Sequence, residues 1–253
     1  MAKVSAKNCI VVVGGYVLST WTTTYNVNQV LDPVDVTGFT DGLKHYVVGL
    51  QGGEITLDML YDEATNATYD RMRLLTVDGN LTLLPEGYTA PGAKSISMPY
   101  MQANFNPSAT PADTIKISGV KFAYYGTAKS GVEIGQALYH GSTITTTTSG
   151  TAVADGFVAS DLTSCAAAAT LHVWTATASD TYVVTVEHSS NGTTGWSTIM
   201  TFAADGKTLT SERQEFAAAA LKRYRRFVAT RTGAAADTFG FTVHFWRDPT
   251  QST

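Results

Sequence analysis

The sequence predicts a mainly β protein built as two units, a first of strands with one α-helix and a second, compact β-sandwich of about 100 residues. Three observations carry that expectation. Apolar residues make up 44% of the 253 positions and charged residues only 15%, below the roughly 25% of ordinary soluble domains. Several runs alternate apolar and polar residues with period two, as Ile55, Leu57 and Met59 do, and again Tyr182, Val184 and Val186. One segment alone carries a helical period.

Taken in order, Ile10–Val13 and Tyr16–Leu18 read as short strands around the Gly14-Gly15 bend. Val47–Leu50 and Glu54–Met59 follow, the second with its apolar residues on one face. From Tyr61 to Thr76, the residues Tyr61, Ala64, Thr68, Met72 and Leu75 fall at helical spacing. Asp62 and Glu63 at the start and Arg71 and Arg73 at the end complement a helix dipole, so a helix is expected over 61–76. Asp78-Gly79-Asn80 signals a turn, Leu81–Leu84 a strand, and Ile115–Ile117 with Val120–Tyr125 close the first unit. The polar tract 141–152, with its Thr145–Thr148 run, has linker composition and divides the chain into 1–140 and 153–253. On that division, a chain ending at Tyr139 keeps the first unit's behaviour. In the second unit Tyr182–Val186 and Phe241–Phe245 alternate, and Ser189-Ser190-Asn191-Gly192 turns the chain.

The composition also narrows function. Net charge is -4. Residues 1–140 hold nine Lys and Arg against twelve Asp and Glu, and the remainder eight against nine, so neither part is a basic nucleic-acid binder. No segment approaches the roughly 20 apolar residues of a membrane helix, and the run Cys9–Val13 is too short for a signal sequence. Cys9 and Cys165 read as two reduced, partly buried thiols. His45, His140, His172, His188 and His244 are scattered without metal-ligand spacing and read as surface or core-edge residues, so neither metal nor cofactor is expected. Asp32 with Asp35, and Asp58 with Asp62, are the nearest paired carboxylates, and turn or cap duty explains them better than acid/base chemistry. No nucleophile and base can be named, and the chain is expected not to be an enzyme.

The basic cluster Lys222-Arg223-Tyr224-Arg225-Arg226 is expected in a strand, its charges split between two faces and paired with Glu212, Glu215 and Asp237. Arg223, Arg225 and Arg226 are then candidates for an outer-surface contact. Trp174, Trp196 and Trp246 read as core aromatics; as an alternative they recognise a glycan, which would make the chain a receptor-binding or adhesion protein.

The stretch VDVTGFTDGLKHYVVGLQGGEITLDMLYDEATNATYDRMRLLT, residues 34–76, resembles the core of siphophage major tail tube proteins. The matching positions are Asp35, Thr37, Gly38, Phe39, Asp41-Gly42, Gly49-Leu50, Glu54–Leu60 and Tyr61-Asp62. DTIKISGVKFAYY, residues 113–125, resembles that family's closing strands, and the likeness spans residues 10 to 130. Residues 153–253 are similar in outline to the immunoglobulin-like, jelly-roll-like or carbohydrate-binding sandwiches appended to phage structural proteins.

The resemblance implies that the first unit is a tail-tube β-sandwich or barrel with one flanking α-helix, in a virion protein, made in the host cytoplasm, whose copies join sheet edges into hexameric rings and stack them into a hollow tail tube. Asp35, Thr37, Gly38, Phe39, Thr40, Asp41, Gly42, Leu43 and Lys44 would form an inter-subunit contact loop within a flexible segment running to Gly53. The implied partners are further copies of the chain, a tape measure protein, tail terminator and distal tail proteins. Genomic DNA would pass through the lumen without specific binding, and the lumen is expected to carry more carboxylates than ammonium groups.

Overall fold

The structure is a computed structural model. It describes residues 8–35, 44, 46–65, 67–73, 78–109, 114–126, 131–156, 160–177, 179–234 and 237–248, with backbone alone at 30–35, 46–51 and 218. The described chain is almost entirely antiparallel β. Its first part holds β1 (Ile10–Val13), β2 (Tyr16–Val17), β3 (Thr22–Asp35), β4 (Tyr46–Leu60), the helix α1 (Thr68–Met72), β5 (Asp78–Leu84), β6 (Ala93–Gln102), β7 (Pro107–Ser108) and β8 (Lys116–Tyr124). There follow β9 (Glu133–Ile144), β10 (Thr148–Ser149), β11 (Val153–Ala154), β12 (Leu162–Thr175), β13 (Thr181–Ser189), β14 (Ser197–Thr201), β15 (Thr210–Leu221), β16 (Tyr224–Thr232) and β17 (Phe239–Arg247).

Two compact units emerge, and they are not divided where the linker composition suggests. Unit one joins residues 1–20, 79–97 and 133–253, and unit two joins 21–78 and 98–132. The reason lies in the pairing. β9 runs straight into the tract read as a linker and ladders with β17 on one side and with the Ala93–Ser97 part of β6 on the other. Thr148 and Ser149 pair with β16. Thr and Ser tolerate a ladder as readily as a loop, so composition alone did not separate the two.

Unit one contains two packed layers. The sheet β10-β16-β13-β14, joined by β11, faces β9, β12, β15 and β17 across a core of Tyr182, Phe202, Phe227, Phe239 and Phe241 with Leu171, Val173, Val184 and Val186. Tyr182 stacks on Phe239 at 4.6 Å and Tyr139 lies 4.6 Å from Phe241, so large rings fill the space between sheets. The tryptophans are not in this core: Trp174, Trp196 and Trp246 are half-buried. Cys165 is buried, Cys9 partly so, and both are free thiols.

Unit two is a sheet in the order β3-β4-β8, with the end of β6 and then β7 on the far side of β8. Ile55, Leu57, Met59, Ile117, Val120 and Phe122 line its buried face. The helix expected over 61–76 is much shorter, five residues. Asp62 explains its late start: the carboxylate accepts from the Ala64 N–H at 2.8 Å and from Trp21 Nε1 at 2.8 Å, an Asx turn that competes with helix. Thr68 then anchors the first turn, donating to the Leu60 carbonyl and accepting from the Asp62 N–H.

Candidate assembly edge

The feature that sets unit two apart is the hairpin of β3 and β4. Its ladder runs from Thr22↔Met59 to Asp35↔Tyr46, with register shifts near Thr24 and between Leu31 and Pro33. The second shift suits Pro33, which has no N–H to give a ladder. Thus the segment expected to be flexible as far as Gly53 is strand from Tyr46 onward. Of the contact loop, residues 36–43 lie outside the described residues; Asp35 ends β3 and Lys44 is exposed.

β4 is central, paired with β3 on one side and β8 on the other. The far edge of β8 is also occupied. Its ends pair with β6 and β7, and between them Asn104 accepts from the Lys121 N–H at 2.6 Å and donates to the Gly119 carbonyl at 2.8 Å. A bulge opposite Leu57 and Met59 places Gly119 at φ +63°, a conformation suited to glycine, and its N–H reaches the Asp58 carboxylate at 2.7 Å. β3 differs: it pairs with β4 alone among the described residues. From Thr22 to Leu31 it has no charged residue, and Thr23, Thr24, Asn26, Asn28 and Gln29 are exposed. Charge and inward-turned polar groups are the usual protection of a free edge, and ten residues of this one lack charge altogether.

The sheet's other face is polar. Glu54 pairs with Lys121, and that hydrogen bond holds the Glu54 carboxyl below the usual carboxylate range. Asp58, Thr56, Lys116 and Ser118 share the face. Its described charges are two carboxylates, Glu54 and Asp58, against two ammonium groups, Lys116 and Lys121.

Of the arginines expected at an outer surface, Arg225 is not there. Its side chain is 2% exposed and meets Asp155 at 2.5 Å, while Arg247 reaches the same carboxylate at 2.7 Å. Arg226 pairs with Glu187 at 2.8 Å and lies over the Trp196 ring, and Arg223 packs over Tyr224. The acids expected to serve them are engaged elsewhere: Glu212 accepts from the Ala203 and Ala204 N–H groups, Glu215 pairs with Arg213, and Asp237 accepts from the Ser179 N–H. Cross-strand geometry decided the partners, and Asp155 and Glu187 carried no sequence signal. His172 and His244, expected near the surface, are fully buried. Among the described residues no group of three or more His, Cys, Asp or Glu is placed to hold a metal ion.

No family model and no curated protein matches the chain. Solved structures overlap it in outline. A chain from the virion of a native gene transfer agent particle aligns at 12% identity with TM-score 0.41, over 50% of this chain and 96% of that one. A chain from the tail of an empty particle of that kind, refined with C6 symmetry, gives 12% and 0.38 over the same shares. The Dit (gp 19.1) protein of SPP1, described as a paradigm of hub adsorption apparatus in phages infecting Gram-positive hosts, gives 10% and 0.31 over 95% of this chain and 99% of that one. Overlap this slight leaves the functional assignment to the chain's own edges and faces.

Proposed function

We propose that the chain is a structural subunit of a long-tailed phage virion, the tail tube protein, with a non-catalytic role. Copies close into hexameric rings through the outer edge of β3, and the rings stack into a conduit for DNA ejection. The tape measure, terminator and distal tail proteins are its partners. The observation that carries this reading is the long uncharged edge of β3, a liability in a monomer and an asset in a ring, where a neighbouring strand completes it. The resemblance of residues 34–76 and 113–125 to tail tube proteins supports it. The sandwich around β13 and β16 decorates the outside, and the balanced polar face of β4 and β8 meets the DNA.

Electron microscopy of the purified full chain tests the proposal. Rings or tubes are expected, and a monodisperse monomer at high concentration refutes it. The double variant Asn26→Lys, Asn28→Lys puts two charges on each edge at exposed positions. It is expected to abolish rings while melting within a few degrees of the parent, because surface changes alter stability by only about 0.5 kcal/mol. Rings formed equally well by this variant would remove β3 from the interface.

A further inference from the structure

In unit one the sheet ordered β15-β12-β17-β9-β6-β5-β1-β2 curls until its distant strands meet. β5 stands four places from β12 in that order, yet the Thr82 hydroxyl lies 2.8 Å from His172 Nε2 and 3.0 Å from Ser97 Oγ. Ser97 reaches Thr170 at 3.3 Å, and Ser95 Oγ lies 2.6 Å from His244 Nδ1. The Asn80 N–H and side-chain amide donate to Ser211 Oγ at 3.2 and 3.3 Å. The Gly15 turn completes the closure, since a β-carbon there would lie 2.6 Å from the Thr210 nitrogen and 2.8 Å from the Val173 carbonyl.

The seam is therefore held by hydroxyl, amide and imidazole groups. Both imidazoles are fully buried, and His172 Nδ1 and His244 Nε2 have no hydrogen-bond partner among the described residues. A neutral ring tolerates that arrangement; a protonated one brings a charge and a second N–H donor into a dry layer with nothing to receive them. The two rings also repel one another once charged. The charged groups facing the layer are Arg213 from β15 and Glu133 from β9, which pair with each other at 2.5 Å. β9 adds His140, whose Nδ1 lies 2.7 Å from the Thr242 hydroxyl. From β1, β5 and β6 only aliphatic, amide and hydroxyl side chains face it among the described residues.

We propose that this layer is an acid-sensitive latch, closed while His172 and His244 are neutral and opened when they take up protons, so that β1, β2 and β5 release from β12 and β15. Burial pushes both rings down to about 3, and His140 down to about 4. A histidine depressed in the folded state costs nothing above its ordinary value, about 6.5, and penalises the closed form increasingly as pH falls from there toward 3. At pH 5 each ring shifts the opening equilibrium about thirtyfold, and the pair about a thousandfold.

The full chain is to be unfolded with denaturant between pH 8 and 4.5, followed by tryptophan fluorescence; Trp174, stacked on His140 at 5.2 Å, reports on the seam. The wild type is expected to weaken steeply below pH 6.5, and the double variant His172→Gln, His244→Gln, which keeps the roughly thirtyfold contribution of His140, to weaken several hundredfold less than the wild type between pH 7 and 5. A level wild-type curve, or a double variant as pH-sensitive as the wild type, overturns the proposal. Should that variant not fold, imidazole nitrogen shifts of the wild type decide: rings neutral at pH 5 support the latch, and rings titrating near 6.5 overturn it. Hydrogen exchange at pH 5 is expected to rise first in β1, β5, β12 and β15, and an equal rise in β13 and β16 would show general unfolding and no latch.

Discussion

Units one and two meet the same problem, the open edges of β-sheets, in opposite ways. Unit one turns its sheet upon itself, packs a second sheet against it and satisfies its buried charges in place, as Arg225 and Arg247 do on Asp155. Unit two buries one face, covers the far edge of β8 with Asn104, β6 and β7, and pairs β3 with β4 alone among the described residues. Closure in the first brings its distant strands together through side-chain hydrogen bonds such as Thr82 to His172. On the proposed function, the margin of β3 in the second is what a neighbouring copy completes.

The sharpest way to break the comparison is truncation. Ending the chain at Tyr139 removes β12 and β17 from the sheet, strips the partners of Tyr139 and Leu138, and exposes the edge of β9. The structure reverses the simple expectation that residues 1–140 suffice: loss of cooperative thermal unfolding is expected, checked by circular dichroism. A cooperatively melting fragment would show that the two-unit division of contacts does not govern folding.

Less drastic is Asp155→Ala. It leaves two arginines in the interior without their common carboxylate, and breaking a buried pair costs about 3–5 kcal/mol. The carboxylate's side chain is 1% exposed, so solvent does not make good the loss. Denaturant unfolding measures it, and a change under about 1 kcal/mol would mean that the Arg225 charge finds water.

Much of this was legible in the sequence where a period was clean. The alternation of Ile55, Leu57 and Met59, of Tyr182 to Val186, and of Phe241 to Phe245 named β4, β13 and β17 and the faces they bury. The runs Ala166–Ala169 and Ala217–Ala220 carry no such period, and alanine favours helix. They are strands because β12 and β15 pair with each other over long range. The domain boundary failed for the same reason: which strands join which is decided by pairings between residues a hundred positions apart, as in His140 opposite Thr242. The uncharged edge of β3 was visible as composition, but only the ladder shows that it has one neighbour among the described residues.

The smallest expected change in stability comes from Glu54→Gln, and it sharpens the reading of unit two. Glu54 and Lys121 form a surface pair whose loss costs roughly 0–1 kcal/mol. Because Lys121 lowers the Glu54 pKa, what stability the pair contributes is present at neutral pH and fades as pH falls through the carboxylate range. The melting temperature at pH 7 is therefore expected to stay within a few degrees. Electrostatics on the polar face change more than stability does, since two carboxylates against two ammonium groups become one against two. In the proposed ring, that excess would neutralise duplex DNA phosphates, each contact adding affinity that falls with salt. Assembled Glu54→Gln protein is expected to retain DNA at low salt, released as salt rises, where the parent does not. Equal retention by both would place the β4–β8 face away from the DNA and leave the edge of β3 as the part of the hairpin that assembly uses.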